Sequence, residues 1–161
     1  MTNGNWYDIM QVCENGHQIT SCAHSQQNSR KDFCDECGAK TIVACPHCEK
    51  PIQGYYHVEG IVSLSEPPVP KYCSYCGAAF PWQQSAIDNL TGIFRESDLS
   101  PQDIAIAEAA LPDILQDTPK TESASLRLKR IMGKLGKPLY DISIKVVTDI
   151  ASETAKKTIG L

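Results

Sequence analysis

All eight cysteines of this chain (13, 22, 34, 37, 45, 48, 73 and 76) fall within the first 76 of its 161 residues. That asymmetry constrains the fold more than any other feature. Cysteines crowded into one half of a chain either pair as disulfides or hold metal, and the redox compartment decides between them. The opening Met1 to Asp8 has no basic segment followed by an apolar one, so it does not read as a secretory signal. No uninterrupted apolar stretch approaches the ~18–20 residues of a membrane helix. A cytoplasmic setting is therefore expected, where thiols stay reduced and clustered cysteines point to metal or redox chemistry.

The cysteine-rich half reads as two copies of one unit. The first runs Met10-Gln-Val-Cys13-Glu-Asn-Gly-His17 and closes on Lys31-Asp-Phe-Cys34-Asp-Glu-Cys37-Gly-Ala39, with 16 residues between His17 and Cys34. The second runs Ile42-Val-Ala-Cys45-Pro-His-Cys48 and closes on Pro70-Lys-Tyr-Cys73-Ser-Tyr-Cys76-Gly-Ala78, with 24 residues between Cys48 and Cys73. Each copy opens on a short β-prone run, Ile9 to Val12 and Thr41 to Ala44. Two thiolates three residues apart in a tight turn can face one ion. The glycine that follows, Gly38 or Gly77, supplies the positive φ such a turn needs. Two such knuckles brought together complete a tetrahedral site, the plan of a zinc ribbon.

Pairing in sequence order gives site one as Cys13, His17, Cys34 and Cys37, and site two as Cys45, Cys48, Cys73 and Cys76. The rival is a cross-brace joining 13/17 to 45/48 and 34/37 to 73/76. Such folds usually leave only two or three residues between their middle pairs, whereas seven intervene here, Gly38 to Ala44. Cys22 competes with His17 for site one. His17 is preferred because the turn Asn15-Gly16-His17 returns its imidazole to the metal held by Cys13, while Cys22 lies in a polar loop. His24 and His57 read as ordinary loop and strand residues, and His47 as solvent-facing. Cys45-Pro-His-Cys48 also matches the redox turn of thiol oxidants. Those place it at a helix N-terminus, and here Pro51 and Gly54 break any helix downstream.

From Pro81 the apolar period changes to that of a helix. Ile87, Leu90 and Phe94 share a face over about 83–95. Ser100-Pro101-Gln102-Asp103 starts a second helix, and Pro112 is expected to interrupt it. Leu128, Ile131, Met132 and Leu135 make a third stripe closed by Gly136. Pro138 opens a last helix with Ile142, Val146, Val147, Ile150, Ala151 and Thr154 on one broad side. Charge follows its own pattern. The formal −4 divides into −3 over residues 1–80, −6 over 81–125 and +5 over 126–161. A basic tail thus follows an acidic middle, and the two either neutralise each other or leave a surface for an anionic partner. Arg127, Lys129, Arg130, Lys134 and Lys137 carry that surface, for a protein partner or peripheral contact with a lipid surface.

No phosphate-cradling glycine loop, nucleophile elbow or metalloprotease helix occurs. His57-Val58-Glu59 lacks the Pro-Cys-x-x-Cys of a deaminase. Both proposed sites are filled by four protein ligands, whereas a catalytic zinc keeps a position open. Tyr55, Tyr56, Tyr72 and Tyr75 could stack on bases but lack clustered arginine or lysine, so they read as part of the ribbons.

The order Cys13-x-Asn-Gly-His17, Phe33-Cys-x-x-Cys-Gly-Ala39, Cys45-Pro-x-Cys48, Gly54-Tyr-Tyr-His57, Pro70-Lys-x-Cys-x-x-Cys-Gly77, Pro81-Trp82 resembles a bacterial family of unknown function with a double zinc ribbon. The tail Asp149 to Lys157 is similar as well, so the resemblance covers most of the chain. It implies His17 among the ligands, Cys22 outside them, a bacterial cytosolic setting and no assigned reaction. The expected fold is α+β: tandem zinc ribbons of short β-hairpins over 6–80, then an all-α domain of about four helices over 82–161. The expected function is that of a non-enzymatic protein with two Zn²⁺ per chain, an adaptor or protein-interaction module. The alternative is a zinc-ribbon regulator that binds nucleic acid.

Overall fold

Aromatic and β-branched residues on either side of the first cysteine form the strands that the repeat leads one to expect, but they pair differently. The computed structural model describes residues 4–161. Its strands are β1 (Trp6–Ile9), β2 (Gln11–Cys13), β3 (Gln18–Thr20), β4 (Thr41–Ile42) and β5 (Gln53–His57). They form one antiparallel sheet of order β1-β5 and a second of order β3-β2-β4. Strands of the first repeat therefore pair with strands of the second: Trp6 lies opposite His57, and Cys13 opposite Thr41. This corrects the expectation of self-contained ribbons. Within the first repeat β2 and β3 do close a hairpin, but the other edge of β2 is taken by β4 of the second.

The register between β1 and β5 slips between Tyr7 and Ile9, with the extra residue on β5, where Gly54 lies. A Cβ at Gly54 would sit 2.1 Å from the Ser21 backbone oxygen and 2.8 Å from the Met10 nitrogen. That oxygen accepts from the Tyr55 N–H at 2.8 Å, and the Met10 N–H donates to the Ile52 oxygen at 2.9 Å. Only a residue without a side chain lets three backbone segments meet so closely.

A small core lies beneath. Met10, Val12, Ile52 and Phe80 are buried together with the sulfurs of Cys45 and Cys73, and Ile42, Val69 and Trp82 pack against them. Trp82 stacks on Phe80 with centroids 4.8 Å apart and donates its indole N–H to the Pro70 oxygen at 2.9 Å.

The structure divides into two units, Met1–Gln84 and Ser85–Leu161; the first helix begins at the end of the first unit and the other four lie in the second. They are α1 (Pro81–Glu96), α2 (Pro101–Ile114), α3 (Thr121–Met132), α4 (Lys137–Ile150) and α5 (Glu153–Ile159). Helix α1 starts two residues before the expected 83, because proline is well placed in a first turn where its missing N–H costs nothing. Ser100 caps α2, its hydroxyl accepting from the Asp103 N–H at 3.1 Å. Pro112 does not stop that helix, which runs to Ile114 while Ala110, Leu111 and Ile114 are buried.

The expected last helix is two. Ala151 turns to an extended backbone (ψ 150°), and Ser152 caps α5 by accepting from the Ala155 N–H. The Ser152 N–H itself donates to the Ile114 oxygen at 2.9 Å, which fixes the break. The face differs too: Ile142 is 48% exposed while Ser143, Val147 and Ile150 are buried.

Gly54→Ala should destabilise the cysteine-rich unit by about 3 kcal/mol, because the methyl meets backbone that cannot rotate away. Denaturant unfolding followed by tryptophan fluorescence reads this directly, since Trp6 and Trp82 both lie in that unit. An unchanged midpoint would mean that the three strands are not held this closely.

Candidate metal centres

Each cysteine pair sits in the same hydrogen-bonded turn. The Cys34 N–H donates to the Ala39 oxygen, and the Gly38 N–H returns to the Cys34 oxygen at 2.8 Å. The same two bonds recur at Cys45 with Lys50 and Glu49, and at Cys73 with Ala78 and Gly77. A bridge closes each turn: Phe33 with Lys40, Ala44 with Pro51 and Tyr72 with Ala79. The turn from Cys13 to His17 differs by one residue, but it too holds its first cysteine, whose N–H donates to the His17 oxygen at 3.0 Å. Backbone N–H groups also point at sulfur, His17 to Cys13 at 3.3 Å, His47 to Cys45 at 3.4 Å and Tyr75 to Cys73 at 3.4 Å.

These turns bring the donors together in sequence order. Cys13, His17, Cys34 and Cys37 form one group, and Cys45, Cys48, Cys73 and Cys76 the other, with the donor atoms of each within 4.8 Å of one another. In the first, Cys13 Sγ lies 3.8 Å from Cys37 Sγ and 3.5 Å from His17 Nδ1, and Cys34 Sγ is 3.6 Å from the same nitrogen. In the second, Cys45 and Cys76 are 3.8 Å apart and Cys48 and Cys73 3.6 Å. A disulfide would need sulfurs at about 2.05 Å, so these are free thiols gathered round a point. Two groups of four donors so arranged suit two metal ions. Cys22 belongs to neither, and His47 is exposed.

The two groups repeat in burial as well: first and third donors buried, second half-buried, fourth exposed. The imidazole of His17 is held from behind by Glu36, whose carboxylate lies 3.6 Å from Nε2 while Nδ1 faces the sulfurs. Asn15 donates to Cys37 Sγ at 3.4 Å. The Ala39 N–H first and Asn15 next hold the Cys37 thiol down to about 6, against the opposing effect of burial. Cys48 behaves in the opposite way. The Lys50 N–H lowers it, but desolvation and the sulfurs of Cys73, Cys76 and Cys45 outweigh that and push it up to about 12. Four thiols this close cannot all ionise unless a cation joins them.

The sequence did not single out Glu36 and Asn15, since nothing but their place beside a knuckle marks them. It also passed over a third grouping, Asp8, Cys22 and His57, whose donor atoms lie within 4.8 Å of one another. These residues are far apart in the chain, and no spacing links them.

Every turn carries one residue in the left-handed region: Gly16 (φ 92°), Gly38 (71°), Glu49 (61°) and Gly77 (75°). The position after a cysteine pair thus needs positive φ in all three pairs, and one of them meets the need with glutamate. A side chain there costs about 1–2 kcal/mol of backbone strain, partly offset by glycine's larger entropy when unfolded. Glu49→Gly should therefore stabilise the protein by about 0.5–1 kcal/mol. Gly77→Ala, with open space around the added methyl, should destabilise it by about 1 kcal/mol. Thermal unfolding of both variants with metal bound checks the pair, and shifts of the same sign would refute the reading.

Among known families, the one described as an uncharacterized protein conserved in bacteria (DUF2321) matches residues 6–159. No curated protein and no solved structure matches the chain.

Proposed function

The chain belongs to this bacterial family, and we propose that it is a non-enzymatic zinc-binding protein serving as an adaptor or protein-interaction module in the bacterial cytoplasm. The observation that carries the reading is the size of the two donor groups. Zinc holds sulfur at about 2.3 Å and imidazole nitrogen at about 2.0–2.1 Å, so a tetrahedral site has edges of about 3.8 Å between sulfurs and about 3.6 Å between sulfur and nitrogen. Three sulfur–sulfur edges lie at 3.6–3.8 Å and two sulfur–nitrogen edges at 3.5–3.6 Å, and all donor atoms of each group are within 4.8 Å of one another. With four protein donors at each centre, no position is left for water or substrate, which supports a structural rather than a catalytic role. Zinc in such a place contributes directly to folding, an apparent ~10–16 kcal/mol in small metal-folded peptides.

The interaction surface we assign to the basic segment. Arg127, Lys129 and Arg130 are exposed on α3, beside a Leu126 that is 54% exposed. Lys134 is engaged by Asp103 at 2.8 Å, and Lys137 by Asp141 at 3.4 Å. The three residues of α3 therefore offer charge and apolar surface together to an acidic protein partner. No helix among the described residues is long and apolar enough to cross a membrane.

Metal analysis of gently purified protein should give two zinc ions per chain. One or none would overturn the proposal. Cys37→Ser or Cys76→Ser should each remove one zinc and unfold the cysteine-rich unit while leaving the helical signal in place. Changing Arg127, Lys129 and Arg130 together to glutamate should abolish capture of an acidic partner yet keep both zincs. Capture that survives that change but is lost when residues 18–33 are replaced would move the surface to the ribbons. A salt-sensitive mobility shift with DNA or RNA that the same triple change removes would instead assign the surface to nucleic acid.

A further inference from the structure

Among the described residues, the three most exposed large aliphatic side chains stand together in the segment that follows β5: Ile61, Val62 and Leu64 are 64%, 86% and 97% exposed. Clustered apolar exposure of this kind marks an interaction site more often than chance. The segment is nonetheless fixed at both ends and in the middle. A turn at Gly60 (φ 75°) precedes it, and there the Ile61 N–H donates to the Val58 oxygen at 3.1 Å. Beyond it, Gln18 Nε2 donates to Glu66 Oε2 at 3.0 Å. Between them the Tyr55 hydroxyl accepts from the Ser63 N–H at 2.7 Å and donates to the Ser63 oxygen at 3.0 Å.

One hydroxyl can meet the N–H and the C=O of the same residue only where the chain is extended, since both groups then point the same way. Each trans peptide sets its own N–H and C=O in opposite directions. The Val62 oxygen and the Leu64 N–H therefore point away from Tyr55, and neither has a partner among the described residues. This is an open strand edge, with one acceptor and one donor placed symmetrically about Ser63. Whatever covers it has to satisfy backbone as well as side chains. A helix face or a lipid surface would bury Val62 and Leu64 but leave the Leu64 N–H without an acceptor. Glu59 and Glu66, exposed on either side, also oppose an anionic surface. A strand satisfies both needs, and symmetry about one residue is what a two-fold axis through that residue requires.

We propose that residues 61–65 are a docking edge for a second copy of this chain, in which the same segment pairs antiparallel about a two-fold axis at Ser63. The Leu64 N–H of each copy donates to the Val62 oxygen of the other. Val62 faces Leu64 across the axis, and Ser63 faces Ser63 as a non-hydrogen-bonded pair. Parallel pairing would set each glutamate beside its own counterpart, whereas this register leaves Glu59 and Glu66 outside the paired stretch. The same two acids stop the pairing from spreading. The other edge of the segment faces Tyr55, so each copy has one open edge and assembly closes at two. The contact is small, so the dimer is weak and reversible. It uses neither the metal centres nor the basic face of α3, and so goes beyond the function proposed above.

Sedimentation equilibrium of the full-length, metal-bound protein, up to about millimolar concentration, should show a reversible monomer–dimer equilibrium and no larger species. Leu64→Lys should weaken the dimer about tenfold or more, because each copy loses a buried aliphatic side chain. Changing Arg127, Lys129 and Arg130 to glutamate should leave it unchanged. The register has its own readout. Non-hydrogen-bonded pairs have Cα atoms about 4.5 Å apart, within the reach of a disulfide, so mild oxidation of Ser63→Cys should cross-link two copies. Ser65→Cys, about 13 Å from its counterpart in this register, should cross-link about tenfold more slowly or not at all. Peptide mass mapping identifies the introduced bond, and metal content with circular dichroism establishes that each variant is folded. The proposal is overturned if the protein stays monomeric throughout, if folded Leu64→Lys dimerises as strongly as before, if the triple change abolishes the dimer, or if the two cysteine variants cross-link at equal rates.

Discussion

Thiolates repel one another, and this protein packs four donors within 4.8 Å of each other at two separate places. Everything in the first 84 residues depends on how that repulsion is relieved. The strands are two to five residues long, and the buried core beneath them has few members beyond Met10, Val12, Ile52 and Phe80. Such a core falls short of the conformational entropy of ordering so much loop. A cation shared by four donors would supply the missing free energy, and it would also fix geometry that the strands are too short to specify. The core and the second centre are not separate, because Cys45 and Cys73 are members of both.

The parts of this arrangement that can be read in the sequence are those set by local spacing. Cys-x-x-Cys followed by glycine determines a turn within five residues, so the knuckles and the positive φ at Gly38 and Gly77 follow from neighbours, while the partition of donors is read from the length of the segment between the middle pairs. Strand pairing does not. Nothing in Trp6-Tyr-Asp-Ile9 says that it lies against Gln53–His57 rather than closing a hairpin within its own repeat. The position of Asp8 is equally silent: a carboxylate in a short strand reads as a surface residue until the loop 22–25 is seen to wrap its donors around it. In the helical half, the stripe from Ile142 to Thr154 suggested one helix because helical periodicity runs on across Ala151. Ser152 is a good N-cap by residue type, but what commits it is a bond to the Ile114 oxygen on another helix.

The repeat is therefore of two kinds at once. Its three cysteine-pair turns share the same backbone hydrogen bonds, and the Cys13 turn differs from them by one residue. Its connections are not, since β1 pairs with β5 and β2 with β4 across the repeats. Duplicated turns joined by exchanged strands make one cooperative unit out of two similar halves.

The burial order shared by the two centres has a kinetic meaning. In each, the first and third donors are buried and the fourth, Cys37 or Cys76, is exposed. Traffic of an ion is then one-sided. With a metal bound, a competing ligand from solution would meet the outer sulfur first, and the inner sulfurs would part last. The outer side chains are free to swing toward solvent, whereas Cys45 and Cys73 belong to the core and could let go only as the core around them opens. Metal exchange in this protein would be a sequence of ligand substitutions beginning at Cys37 and Cys76, with its slow step set by packing rather than by coordination.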